Sequence, residues 1–184
     1  MLNIKKEIMK EVLVNVIPIT WERAELKVVE SLNRDCDYGL FQIYGDHYSY
    51  GKDCLLYIGR AADQKFCDRL SAQKIEGDFA ETTTEPKYIR IGRISISPQE
   101  HENTGLNIEK GKLSEYIKIA RTILVGTHSP AFNKQISKES WQLSFGNNKE
   151  YLLLNRADRG NILPEISTIR NSYMFYNFGK PLSK

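Results

Sequence analysis

Tyr38-Gly-Leu-Phe-Gln-Ile-Tyr44, then Gly45-Asp-His-Tyr-Ser-Tyr-Gly-Lys-Asp53, then Cys54-Leu-Leu-Tyr-Ile58 is the stretch from which the architecture follows. Two apolar runs rich in aromatic and branched residues flank a segment dense in Gly, Asp and Ser, the pattern of two strands joined by a turn. A hairpin over 38–58 is the expected nucleus. Directly after it, Asp63 offers an N-cap for a helix running to about Ile75, with Phe66 and Leu70 one turn apart on its buried side.

Downstream, Lys87 to Ile96 alternates as a strand, but its apolar parity switches from Ile89 and Ile91 to Ile94 and Ile96, which predicts a β-bulge at Gly92. From Lys112 to Val125, Leu113, Tyr116, Ile117, Ala120, Ile123 and Leu124 follow helical spacing, and Gly126 with Pro130 is expected to close the helix. Tyr151 to Asn155 reads as a strand and RADRGNILPEIS as a loop. Upstream, Ile4, Ile8, Met9 and Val12 predict an amphipathic helix over Ile4–Val14, and Trp21 to Ser31 is weakly helical before the polar cluster NRDCD.

With 184 residues, 41% hydrophobic and 27% charged, the chain has the size and balance of one folded domain, which excludes a disordered or low-complexity protein. A net charge of +3 permits a nucleic-acid partner without requiring one. Cys36, Cys54 and Cys67 form no CxxC pair, which argues against a zinc knuckle or disulfide framework and fits a reducing compartment. No stretch reads as a signal peptide or a membrane span, so a cytoplasmic protein is expected. The expected fold class is α/β (α+β): a small mixed sheet flanked by helices in a single domain, 1–184. Its core covers about 38–133, with an N-terminal helical extension over 1–31 and a C-terminal strand and loop extension over 140–184.

Four fragments follow one another in order: Gly39-Leu-Phe41, Tyr57-Ile-Gly59, Arg69 and Pro130-Ala-Phe-Asn133. In that order and spacing they resemble the GIY-YIG nuclease superfamily, particularly its restriction-endonuclease-like members and the N-terminal nuclease domain of bacterial excision-repair enzymes. YGLFQIYG looks like the family's GVYxIY strand, LLYIGRA like its YVGKA segment, and HSPAFN like its PxYN ending. The likeness runs from Tyr38 to Asn133.

The resemblance implies Mg²⁺-dependent phosphodiester hydrolysis on DNA, which needs an aimed water, a proton acceptor, cations for developing charge and a metal near the leaving oxygen. Tyr57 stands at the YIG tyrosine, able to bind water or phosphate through its hydroxyl. Arg60 follows where the family usually has a cation, and Arg69 matches the helix arginine, so two guanidinium groups are expected to converge on a phosphate. Asn133 matches the family Asn, whose amide holds loops of the site together.

Three positions depart from the pattern. Phe41 replaces the first motif's tyrosine, and Tyr44 lies an odd number of residues further on, so it is expected to face the other side of the sheet. Gln73 replaces a histidine and cannot titrate near neutral pH. The metal-binding Glu, expected about three turns before the Asn, falls on Arg121, a cation that would repel a metal. Glu115 is the nearest upstream carboxylate, but six residues turn a helix by about 240°, so it is a weak metal candidate expected on the solvent side.

Lys87, Arg90 and Arg93 along one strand, with Lys65, offer a candidate phosphate-binding surface, and a solvated sheet edge explains them equally well. His47, His101 and His128 lack metal-ligand spacing. The functional expectation is a DNA-acting GIY-YIG-like protein with an impaired catalytic site. The alternatives are an active restriction- or repair-type endonuclease using a displaced carboxylate with Mg²⁺, and a protein-interaction module on the same scaffold.

Overall fold

A strand occupies the segment that the sequence divided between two helices. The computed structural model describes residues 14–70, 86–95, 110–134 and 150–168, and within them β1 spans Val14–Ala24. Ile17, Ile19 and Trp21 are buried on one face while Val16 and Thr20 are exposed on the other, the two-residue period of a strand. Pro18 hides this pattern, because proline usually marks a break. Here its carbonyl accepts the Ser95 N–H just past the end of β4. N–H and C=O of one strand residue point to the same side, so the missing donor costs no bond to the other neighbour. A 3-10 helix follows over Leu26–Ser31. The expected helix over Ile4–Val14 otherwise lies outside the described residues.

The remaining elements are β2 (Gly39–His47), β3 (Gly51–Ala61), α1 (Phe66–Arg69), β4 (Pro86–Ile94), α2 (Lys110–His128), β5 (Glu150–Ala157) and β6 (Glu165–Ser167). The strands form one six-stranded sheet in the order β3-β2-β4-β1-β5-β6. All neighbouring pairs are antiparallel except β1 and β5, which run parallel. The fold is therefore mixed α/β in a single small domain, with the expected hairpin as β2 and β3. The segment assigned to a helical extension supplies a central strand instead.

The helices cover both sheet faces. On one, Ile117, Ala120, Ile123 and Leu124 of α2 pack against Ile17, Ile19, Trp21, Leu40, Ile58 and Leu153. On the other, Phe66 of α1 with Leu70, Val29 and Leu32 packs against Phe41, Ile43, Ile89 and Ile91. Each such buried aliphatic or aromatic side chain stabilises the fold by roughly 1.5–3 kcal/mol.

Two-sided burial also explains the parity switch in β4. Its pairing with β1 continues through Gly92 without a register shift, and its pairing with β2 begins in register at Gly92, so there is no bulge at that residue. Ile89 and Ile91 serve one core while Ile94 packs against the other. Gly92 is small because the Trp21 ring lies over it; a Cβ there would sit 2.7 Å from the ring.

Helix boundaries differ from the sequence reading as well. Lys65, not Asp63, is the N-cap of α1, and it makes no side-chain capping bond. The helix expected to reach Ile75 ends at Arg69, with Leu70 as its C-cap, so it is a single turn; residues 71–75 lie outside the described residues. Helix α2 runs through Gly126 to His128, and Ser129, at φ 45°, makes the turn out of it. Among the described residues, no helix is long and apolar enough to cross a membrane.

Candidate functional site

The site lies along the outer edge of the sheet, where β3 has β2 on one side only. The Ala131 and Phe132 N–H groups donate to the carbonyls of Leu55 and Leu56. Asn133 extends the ladder with its side chain: Oδ1 accepts the Ile58 N–H at 2.7 Å and Nδ2 donates to the Ile58 carbonyl at 3.0 Å. One amide thus serves both edge groups of Ile58 as a neighbouring strand would, and pins the segment after α2 beside Tyr57.

Between β2 and β3 the register shifts after the Ile43–Tyr57 pair, since Tyr44 faces Leu55. The extra residue lets Leu56 and Tyr57 both join the cluster around Phe41. The Phe41 and Tyr57 ring centroids are 6.0 Å apart. Phe41 lies directly over Gly59, where a Cβ would come within 2.0 Å of its ring. Tyr44 faces the other side of the sheet, as its parity predicts: its hydroxyl donates to Gln42 Oε1 at 2.6 Å and accepts the Asn161 N–H at 3.0 Å. Gln73 lies outside the described residues.

Tyr57 and Arg60 from β3, Arg69 from α1 and Arg121 from α2 line one cavity of about 440 Å³, together with Asp63. Asn133 and Phe41 are not among the lining residues; Asn133 instead holds β3 at Ile58. Arg69 and Arg121 are half-buried and Arg60 is exposed. Among the described residues, no carboxylate forms an ion pair with any of the three. Asp63 is held elsewhere, accepting from Ser114 Oγ at 3.1 Å with Lys118 Nζ at 3.9 Å. Among the described residues, the cavity presents three guanidinium groups and one engaged carboxylate, an arrangement that favours an anion.

The donor set does not suit Mg²⁺, which binds oxygen ligands and above all carboxylates. Arg121 fills the position where the resemblance implies a Glu. Glu115 is exposed and does not line the cavity. Its charge acts instead on Tyr151, whose hydroxyl pKa is raised by burial and then by Glu115. Among the described residues, no three or more His, Cys, Asp or Glu side chains cluster to hold a metal.

The other basic candidates are not among the residues that line the cavity and are engaged within the fold. Lys65 Nζ donates to the Asn33 carbonyl at 2.7 Å and pairs with Asp35. Lys87 pairs with Asp46 at 2.7 Å. Arg90 pairs with Asp158 at 3.0 Å and lies 4.7 Å from the Tyr44 ring centroid and 5.1 Å from that of Tyr88. Arg93 binds Asp37 at 2.7 Å and Glu22 at 2.6 Å. Asp37 is wholly buried; burial alone would raise its carboxyl pKa, but hydrogen bonds from Arg93 and Arg34 hold it below the usual value.

Two features escaped the sequence reading. Asp63 was read as a helix cap and proves to line the cavity. His47, noted in the sequence only as lacking metal-ligand spacing, is buried against Tyr48, Tyr50 and Phe132. The aromatic density of His47-Tyr48-Ser49-Tyr50 was the available signal. His128 Nε2 accepts the Leu163 N–H at 3.3 Å, and His101 lies outside the described residues. Compared with protein-family models, curated proteins and solved structures, the chain matches none.

Proposed function

We propose that this chain is a DNA-binding protein on a GIY-YIG-like scaffold that grips a backbone phosphate and has impaired hydrolytic chemistry. The observation that carries this reading is the cavity lined by Arg60, Arg69, Arg121 and Tyr57, whose arginines have no carboxylate partner among the described residues. A phosphate offers paired oxygens to guanidinium forks, and Tyr57 adds a hydroxyl that can donate to the same group. Impairment follows from two side chains. Phe41 brings a ring without a proton-handling group, and Arg121 brings a cation where hydrolysis needs a metal ligand. The three unpaired cysteines suit a reducing, cytoplasmic setting.

Fluorescence anisotropy with a labelled duplex at low salt tests the reading. The protein binds, and Arg69→Ala weakens binding while lowering the slope of log affinity against log salt by about 0.9 for the phosphate contact removed. Absence of binding even at low salt refutes the proposal and favours a protein-interaction module. Supercoiled plasmid incubated with Mg²⁺ or Mn²⁺ remains largely unnicked. Robust cleavage abolished by Glu115→Gln would establish an active nuclease instead.

A further inference from the structure

The turn between β2 and β3 carries the two most exposed large hydrophobic side chains among the described residues, Tyr48 at 84% and Tyr50 at 68% exposed. They are not loosely held. His47 lies buried beneath them, and its Nδ1 accepts the N–H groups of Ser49 at 3.1 Å and Tyr50 at 3.3 Å. The imidazole stacks on Tyr48 with ring centroids 4.5 Å apart, approaches Tyr50 at 4.8 Å, and is backed by Phe132 at 5.4 Å. Gly51, at φ 90°, supplies the left-handed residue that closes this three-residue loop. Two ring faces are thus presented to solvent at little further cost in side-chain entropy.

The charges around the turn cancel. Lys87 is bound to Asp46, which also accepts the Asp53 N–H, and Lys52 stands between Gly51 and Asp53. Lacking a cationic excess among the described residues, the tip is poorly suited to hold a phosphate and offers mainly aromatic surface. The arginine cavity offers the reverse, charge with one partly buried tyrosine. The two lie along the same strand: Phe132 supports His47, and the next residue, Asn133, clamps Ile58 beside Tyr57. Tyr57 stands six residues beyond Gly51 along β3, about 20 Å at a strand's rise, or roughly six stacked nucleotides at 3.4 Å each.

We infer that the Tyr48–Tyr50 turn is a base-stacking site for unpaired nucleotides, working with the arginine cavity on one nucleic acid. The inference rests on the phosphate-binding reading of that cavity. The preferred ligand is then a duplex with a single-stranded extension, its phosphates held at Arg60, Arg69 and Arg121 and its unpaired bases laid on the turn. Stacking on aromatic rings is tolerant of sequence, because every base has a π-face.

The test compares a blunt duplex with the same duplex carrying an unpaired tail that contains 2-aminopurine, using anisotropy for affinity and the analogue's fluorescence for stacking. The tailed ligand should bind about tenfold tighter, the scale of one or two base stacks, with quenched fluorescence. Tyr48→Ala/Tyr50→Ala should remove both the preference and the quenching while leaving blunt-duplex affinity and its salt slope unchanged. Tyr48→Phe/Tyr50→Phe should keep both. Arg69→Ala should do the opposite of the alanine pair, weakening both ligands and flattening the salt slope. Equal binding of blunt and tailed duplexes, or a preference that survives the alanine pair, overturns the stacking site and leaves the arginine reading standing. No binding to either ligand overturns both.

Discussion

Asn133→Ala removes one amide and exposes the consequences of its clamp. The Ile58 side chain and backbone are wholly buried, and the amide meets both the Ile58 N–H and its carbonyl, at 2.7 and 3.0 Å. Both backbone groups face away from β2, so among the described residues no other strand can take over. A buried polar group stripped of its partner costs about 1–3 kcal/mol, and water reaching one of the two groups would bring the total toward 2–3 kcal/mol. For a chain of this length that is a fall in melting temperature of roughly 5–10 °C. Urea denaturation followed by tryptophan fluorescence measures it, since Trp21 is buried in the core. Asn133→Asp separates the two bonds. It keeps an acceptor for the N–H but sets a carboxylate against the Ile58 carbonyl, so it should destabilise at least as much as alanine at neutral pH and recover part of the loss when protonated in acid. An alanine variant within about 0.5 kcal/mol of the parent, the range of an ordinary surface change, would refute the clamp.

Gly59→Ala drives a methyl into the buried Phe41 ring and should cost at least about 1–3 kcal/mol; Phe41→Leu in the same chain should restore part of that, as a denaturation double-mutant cycle can show. Asp37 has a depressed carboxyl pKa, so its stabilisation is complete above its unfolded value of about 4 and is lost as pH falls through the folded value. Melting curves between neutral and strongly acid pH should show that loss, and Asp37→Asn should flatten the acid limb while lowering neutral stability by about 3 kcal/mol. Burial lowers the His128 pKa, and its Nε2 accepts a backbone N–H; its contribution is therefore full above about pH 6.5 and is lost as pH falls through the folded value. NMR titration should find its midpoint below that of an exposed histidine, and a midpoint at or above it would refute the contact.

The hairpin over Tyr38–Ile58 and the helix over Lys112–Val125 were legible because their evidence is local: two apolar runs about a turn, and apolar side chains recurring every three or four residues. The order of the fragments singled out Tyr57 and Arg69, which line one cavity, and counting back from Asn133 landed on Arg121, which lines it too, whereas Asn133 itself is not a lining residue and bonds to Ile58. Strand β1 was lost to Pro18. Whether a proline ends a strand depends on whether a neighbour needs its N–H, and that neighbour is β4, some seventy residues away.

The α/β class, the hairpin, the long helix and the identities of the side chains able to do chemistry can all be read along the chain. Which cations keep their charge available depends on how the chain folds. Lys65, Lys87, Arg90 and Arg93 face carboxylates supplied by other parts of the chain, whereas Arg60, Arg69 and Arg121 converge from a strand and two helices on a cavity whose one lining carboxylate among the described residues, Asp63, is held by Ser114 and Lys118. Periodicity is a property of neighbouring residues and survives in a linear string. The field at an ionised side chain depends on distance in space, which exists only once the sheet has brought its strands together.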